Sequence, residues 1–152
     1  MKKVFLILVA LVGFSFAVNA QNDNLGVRLG GGQGYNAEIS WQHALGANRV
    51  EMDLGWAIYQ DASSFSLTGI YQWTFDLADN FGWFIGPGAY LGTTSVEGKS
   101  RFGLALAGQV GVEYNFASIP LQLSLDVRPR FYVVPSTNFR WGDIAFGIRY
   151  RF

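Results

Sequence analysis

Large apolar side chains alternate with small or polar ones along nearly the whole chain from residue 24 onward. For example, Val50, Met52 and Leu54 alternate with Glu51 and Asp53. A period of two residues is typical of a β-strand with one apolar face, and no segment shows the 3.6-residue period of a helix. The pattern therefore predicts an all-β protein.

Eight alternating segments follow one another, separated by turn-forming residues. Tight turns are predicted at GANR, DLADN and ASIP, and longer loops at DASS, TTSVEGKS and VVPSTNFRW, with GGQG as a short exception. The fifth segment alternates least cleanly and contains Pro87, which marks either a bulge or a gap in the hydrogen-bond ladder. An even strand count with short turns on one side and longer loops on the other predicts an eight-stranded antiparallel up-and-down transmembrane β-barrel.

The volume of the side chains indicates which face meets lipid. One face carries Trp, Phe, Tyr, Leu and Ile, whereas the other is mostly small or polar and holds the charges. Eight strands enclose an interior just wide enough for side chains to fill, so the bulky face is too large to pack inside. Aromatic residues also lie near both strand ends with aliphatic residues between them, as in two interfacial girdles. We predict that the bulky face meets lipid; a soluble periplasmic barrel is the alternative.

The N-terminal segment favours export from the cytoplasm. It begins with Lys2 and Lys3, continues with an apolar run over residues 4–18, and ends in small or permissive residues. This is the pattern of a secretory signal peptide (residues 1–20), and the run is shorter than the roughly 20 residues of a membrane helix. The remainder, residues 21–152, is predicted to be one barrel domain. Charged residues make up only 14% of the chain, against roughly 25% in a typical soluble domain.

The smaller face carries charges of both signs, which we expect to meet inside the barrel. Buried charges must be paired, and the planar guanidinium suits two-point pairing with a carboxylate. A hairpin closed about Gln33 would place Arg28 opposite Glu38, and barrel closure would bring Arg149 and Arg151 beside the first strand. We interpret the set as an ion-paired plug, with a proton or ion path as the alternative. Its predicted members are Arg28, Glu38, Glu51, Asp53, Glu113, Asp126, Arg128, Arg130, Asp143, Arg149 and Arg151.

The sequence offers little for catalysis or for a cofactor. Its single histidine, His43, shares the outward parity of Trp41 at the short-turn end of a strand, and Ser40 points to the other face. A Ser–His–acid site acting on outer-leaflet lipid would need its histidine near the loops. The chain has no cysteine, which excludes a disulfide, a thiolate metal site and a cysteine nucleophile. We predict no enzymatic activity, no metal and no cofactor.

The eight amphipathic segments and the ending FGIRYRF resemble the small outer-membrane β-barrels of Gram-negative bacteria, the eight-stranded OmpX-like and OmpA-transmembrane-like class. The resemblance covers residues 21–152. In that class the last strand is an assembly signal, with a final aromatic residue and apolar residues at alternate positions before it. Phe146, Ile148, Tyr150 and Phe152 match those positions. We expect two departures from that class: the loops look too short for the protruding sheet of OmpX-like proteins, and we expect no peptidoglycan-binding domain after the barrel.

The resemblance implies the compartment and the partners of the protein. It implies the bacterial outer membrane, contact with outer-membrane lipids, and passage through periplasmic chaperones and the outer-membrane insertion machinery. The formal net charge of zero gives no indication of nucleic-acid binding. Our first hypothesis is a structural or surface-interaction role through short extracellular loops. The alternative is a lipid-modifying or hydrophobic-ligand-transporting barrel, with Pro87 at a lateral opening.

Overall fold

The computed structural model describes residues 23–152, apart from residues 33, 59, 135 and 143. The predicted signal peptide and Asp143 lie outside the described residues. No helix long and apolar enough to span a membrane occurs in the part of the chain described. The strands are β1 (Asp23–Gly32), β2 (Gly34–Leu45), β3 (Asn48–Ile58), β4 (Ala62–Ala78), β5 (Phe81–Val96), β6 (Lys99–Asn115), β7 (Leu121–Val127), β8 (Arg130–Val134), β9 (Asn138–Arg140) and β10 (Ile144–Arg151).

These strands form a closed antiparallel barrel of eight staves, where a stave is one full crossing of the wall. β1 to β6 are one stave each, β7 and β8 form the seventh, and β9 and β10 form the eighth. β7 and β8 both pair with β6: Val127 of β7 lies opposite Val110, and Arg130 of β8 lies opposite Ala107. β10 pairs with β1 and β5 pairs with β6, so the sheet closes on itself. The prediction of an all-β, eight-stranded, antiparallel up-and-down barrel is confirmed.

Side-chain exposure follows the predicted alternation. On β3, the side chains of Glu51 and Asp53 are fully buried in the lumen, whereas Trp56 and Ile58 are exposed on the outside. The inward face carries small, amide and charged side chains, and the exposed outer face carries most of the large apolar ones. The bulky face therefore points outward, because an eight-stranded lumen holds only a limited side-chain volume.

The connections at the loop end are shorter than the sequence predicted. β5 continues to Val96 and β6 begins at Lys99, so TTSVEGKS is a paired hairpin and the expected loop is wrong. The two turn residues, Glu97 and Gly98, have φ angles of 50° and 79°. A two-residue turn with both φ angles positive matches the twist of the flanking strands, so the pairing continues up to the turn.

The same hairpin makes the strands at this side of the barrel longer than a membrane crossing needs. β4, β5 and β6 have 17, 16 and 17 residues, whereas a tilted strand crosses a bilayer with about 9–11 residues. The polar pairs Thr94–Arg101 and Ser95–Ser100 extend the wall past the apolar band. VVPSTNFRW is likewise mostly strand, because it contributes to β8 and β9.

Pro87 lies within β5 and interrupts the ladder to β4. Ile70 pairs with Gly88 and Trp73 pairs with Ile85, but the two positions between them on each strand do not pair. The register is the same on both sides, so the feature is a gap and not a bulge. Proline has no N–H to donate, which explains the interruption. The inward side chains on these strands are buried at this level: Ile70, Gln72 and Phe84.

Candidate functional site

Glu51 is the centre of a polar network that fills the lumen. Its carboxylate, on β3, is fully buried and accepts hydrogen bonds from three glutamine amides at 2.6–3.1 Å. Arg128 and Arg149 donate to the same carboxylate at 2.9 and 3.2 Å. Five donors from five parts of the barrel wall thus converge on one acid. The glutamines are Gln42 on β2, Gln72 on β4 and Gln109 on β6.

Arg28 connects the first staves to the seventh. Its Nη1 lies 2.7 Å from Glu38 Oε2, its partner in the β1–β2 register. Its Nε and Nη2 donate to both carboxylate oxygens of Asp126 on β7. Two-point guanidinium–carboxylate pairing fixes orientation as well as charge, so this arginine holds β1, β2 and β7 together across the lumen.

The break between β7 and β8 supplies another lumen arginine. Arg128 and Pro129 lie outside both strands, and the carbonyl of Pro129 accepts a 3.0 Å hydrogen bond from the N–H of Gly108. The stave therefore remains joined to β6 although its ladder is interrupted. The side chain of Arg128 is 1% exposed. It donates to Glu38, Glu51 and Asp53.

A second ion pair lies nearer the short turns. Arg49 donates to Gln72 and to Glu113, and its guanidinium lies 4.9 Å from the centre of the Phe84 ring. The sequence analysis missed Arg49 because GANR was assigned to a turn, whereas β3 begins at Asn48. The available signal was parity, since Arg49 shares the inward-facing positions of Glu51 and Asp53.

The lumen has more acids than arginines, and the amides account for the difference. Among the described residues, four arginines (Arg28, Arg49, Arg128, Arg149) meet five acids (Glu38, Glu51, Asp53, Glu113, Asp126). A buried carboxylate needs hydrogen-bond donors to offset its desolvation, and neutral glutamines supply them without adding charge. The sequence analysis did not include these amides or the two serines that contact Arg149. The missed polar residues are Ser40, Gln42, Gln72, Gln109, Gln122 and Ser124.

Two residues of the predicted plug lie outside it. Arg151 is exposed at the short-turn end, where its guanidinium donates to the carbonyl of Phe116 at 3.4 Å, so its assignment to the lumen is wrong. The strand ends there, and the long side chain reaches past the network to the turn. Arg130 lies at the opposite end, and no carboxylate of the described residues is within ion-pair distance of it.

Arg130 belongs to a cavity of about 840 Å³ at the loop end of the lumen. Its guanidinium lies 4.3 Å from the centre of the Tyr90 ring, and Tyr90 packs edge-to-face on Tyr132 at 5.8 Å. The guanidinium of Arg140 lies 5.5 Å from the centre of the Tyr132 ring. Glu38 of the ion-paired network lines the inner end of this cavity. The cavity therefore begins where the plug ends.

His43 lies on the outer face at the short-turn end. Its Nδ1 is 2.6 Å from Asp23, its ring stacks on Trp41 at 5.6 Å, and Trp41 Nε1 donates to the same carboxylate. Ser40 is in the lumen and is bonded to Arg149. No group of three or more His, Cys, Asp or Glu side chains able to hold a metal occurs among the residues described. The geometry is that of an interfacial packing cluster.

The last strand places its large apolar residues on the outside. Phe146, Ile148 and Tyr150 on β10 are exposed, and Phe152 packs edge-to-face on Tyr150 at 4.9 Å. The N–H of Phe152 donates to the carbonyl of Asp23 at 2.8 Å. This part of the chain is therefore the seam at which the first and last staves meet.

Comparisons with known proteins identify the fold. No protein-family model matches the sequence, and no curated protein matches it significantly. Neisserial surface protein A has a similar structure (TM-score 0.63, 17% identity, 86% of this chain and 95% of that one). So does the N-terminal β-barrel domain of Pseudomonas aeruginosa OprF (TM-score 0.65, 10% identity, 88% and 98%). A de novo designed transmembrane β-barrel also matches (TM-score 0.55, 12% identity, 88% and 98%). The predicted resemblance to small eight-stranded outer-membrane barrels is confirmed at the level of the fold.

Proposed function

We propose that this protein is a non-enzymatic integral outer-membrane barrel, sealed by its own side chains, that acts at the cell surface through its loop end. The observation that carries this proposal is the convergence of five donors on Glu51 in the middle of the lumen. A network in which every stave but β5 contributes a side chain leaves the barrel filled and stiff. Such a lumen favours a structural or recognition role over transport.

The outer surface supports a membrane location. Its exposed large apolar residues form a band around the barrel, with aromatic residues near both ends, such as Trp73 and Trp83 at the short turns and Phe65 and Phe102 at the loops. A soluble protein rarely exposes so large a contiguous apolar surface. An apolar band with aromatic girdles matches the hydrocarbon region and its two interfaces.

The test combines location, folding and conductance. We expect the protein in the outer-membrane fraction, migrating faster on gels before heating than after, because a folded barrel stays compact in detergent. In planar lipid bilayers we expect no stable channel. Recovery in the soluble periplasmic fraction would contradict the membrane assignment, and a large, reproducible open channel would contradict the sealed lumen.

We also infer that the outward apolar residues of the last strand, Phe146, Ile148, Tyr150 and Phe152, form the signal read by the insertion machinery. Their alternate spacing on one lipid-facing edge supports this. The test is Phe152→Ser against Phe65→Ser, since the two rings are 45% and 47% exposed on the same outer surface. Only the first substitution should slow insertion into vesicles that contain purified insertion machinery. Equal slowing would show a general loss of apolar contact instead.

A further inference from the structure

The mouth cavity presents two arginines directly opposite each other. Arg130 on β8 and Arg140 on β9 are register partners, and both line the cavity. Like charges placed opposite on neighbouring strands repel and destabilise the pair. Within the described residues no carboxylate lies within ion-pair distance of either guanidinium. In the part of the chain that the structure describes, these two positive charges therefore have no ion-pair partner.

The hydrogen-bonding state of Arg130 points the same way. Its Nε is buried and has no partner within the described part of the chain. A buried donor left without an acceptor costs about 1–3 kcal/mol, and an acceptor supplied from outside would remove that cost. Each guanidinium group lies against one ring of the edge-to-face pair, Arg130 against Tyr90 and Arg140 against Tyr132. The site is thus preorganised for an acceptor with negative charge.

The rest of the lining indicates what the negative group is attached to. Phe139 and Trp141 pack edge-to-face at 5.2 Å, but Phe139 pairs with the outward-facing Phe131, so these two rings lie on the outer face beside the mouth. The amide and hydroxyl groups of the lining suit a sugar, because its hydroxyls can form hydrogen bonds with them. The volume of about 840 Å³ lies in the range of small-molecule pockets. The amide and hydroxyl groups are those of Asn36, Ser64, Ser66, Thr94, Ser136 and Asn138.

We propose that the mouth cavity binds an anionic saccharide, with its phosphate or carboxylate between Arg130 and Arg140 and its hydroxyls against the amide and hydroxyl groups of the lining. Both acid groups fit the guanidinium fork. The sugar is either free in solution or the headgroup of a glycolipid, since the chemistry at the arginines is the same. This inference deepens the proposed surface role, on which it rests, by naming the class of ligand.

The test is calorimetric titration of the folded barrel in detergent micelles. The probes are glucose 6-phosphate, glucuronate, neutral glucose and inorganic phosphate, with lipid A in mixed micelles as the glycolipid arm. The variants are Arg130→Gln and Arg140→Gln. Arg151→Gln is the matched control, because it removes the same charge from an exposed arginine at the other end of the barrel. Heat-dependent gel migration verifies that each variant is folded.

We expect at least one anionic saccharide to bind about tenfold or more tightly than glucose and inorganic phosphate do. Each cavity variant should weaken that binding about tenfold, as the loss of one charge-assisted contact predicts, while Arg151→Gln leaves it unchanged. Binding of the soluble sugars identifies a free ligand, and binding of lipid A alone identifies a headgroup.

Three results would overturn the inference: no anionic saccharide binding up to about 10 mM, equal affinity for glucose or for inorganic phosphate, or unchanged affinity in both cavity variants. A barrel that inserts and does not conduct, yet binds no saccharide, removes this inference and leaves the proposed function intact. A conducting barrel contradicts the proposed function whatever the titrations show.

Discussion

The lumen and the mouth of this barrel use arginine in opposite ways. Arg128 and Arg130 are separated only by Pro129, yet the first is bonded to three carboxylates and the second lies against a tyrosine ring. In the lumen, an unpaired charge would have no water to solvate it and would be expensive. At the mouth, Arg140 is exposed and Arg130 is half-buried, so their charges cost less without an ion-pair partner than a charge in the lumen does.

The lumen arginines therefore serve stability, and the mouth arginines are available for recognition. The charged side chains of the lumen form ion pairs with one another and hold the staves together. Those of the mouth remain available to a molecule from outside. Substitutions in the two regions should therefore change the free energy of unfolding by different amounts, and one substitution at the mouth should raise it. The predictions below follow that order.

The largest effect is expected for Glu51→Gln. The substitution keeps the shape of the side chain but leaves Arg128 and Arg149 short of negative charge, and breaking a buried ion pair typically costs about 3–5 kcal/mol. The measurement is urea-induced unfolding from lipid vesicles. Glu97→Gln is the matched control at an exposed turn and should change the free energy of unfolding by less than about 0.5 kcal/mol. Similar losses in the two variants would show that the lumen network does not stabilise the barrel.

An intermediate loss of stability is expected for Gly92→Ala, beside the tyrosine that lines the mouth cavity. A Cβ at Gly92 would lie 2.4 Å from the Tyr90 hydroxyl and 2.8 Å from its ring, so Gly92→Ala must displace the tyrosine that carries Arg130. Overpacking of this kind costs about 1–3 kcal/mol. Gly103 is the register partner of Gly92, and a Cβ there meets nothing closer than 3.8 Å.

The check on this prediction is unfolding in vesicles together with near-ultraviolet circular dichroism, which reports on the packing of Tyr90 against Tyr132. Gly92→Ala should lower stability and change the aromatic signal, and Gly103→Ala should do neither. Equal behaviour of the two alanine variants would mean that Tyr90 is not held in place by its own strand.

The smallest effect has the opposite sign. Arg130→Gln removes one of two like charges facing each other across β8 and β9, so in the absence of ligand it should stabilise the barrel by about 0.2–1 kcal/mol. The gain should shrink between low and high ionic strength, because salt screens charges that water can reach. Unfolding midpoints at two salt concentrations measure it. A loss of stability comparable to that of Glu51→Gln would place Arg130 in the structural network after all.

Much of the fold was accessible from the sequence because each strand has one apolar face. Alternation alone placed Glu51 inside and Trp56 outside, and a hairpin centred at Gln33 placed Arg28 opposite Glu38. The direction of a side chain depends only on its own strand, and the pairing of two residues in a hairpin depends only on two neighbouring strands. The loop end was less accessible, since Glu97-Gly98 is a two-residue turn embedded in polar residues that look like a loop.

The network around Glu51 could not be predicted in the same way. Its donors come from β2, β4, β6, β10 and the link after β7, and their common height depends on how far each stave is shifted against the next. That stagger belongs to the closed barrel as a whole and leaves no local pattern in the sequence. Arg151 is an example: its inward parity suggested the lumen, but its position along the barrel axis places it at the short-turn end, beyond the plug.

The ion pairs of the lumen also have a consequence for the order of assembly. Arg28 and Asp126 are 98 positions apart in the sequence, and so are Glu51 and Arg149. Contacts of such long range form only after most of the chain is arranged, and they slow folding. In a partly inserted barrel Arg28 and Glu51 would have fewer partners. The stabilisation from the lumen ion pairs is therefore complete only when the first and last staves meet. Half-assembled forms should therefore be short-lived, and the network makes closure nearly all-or-none.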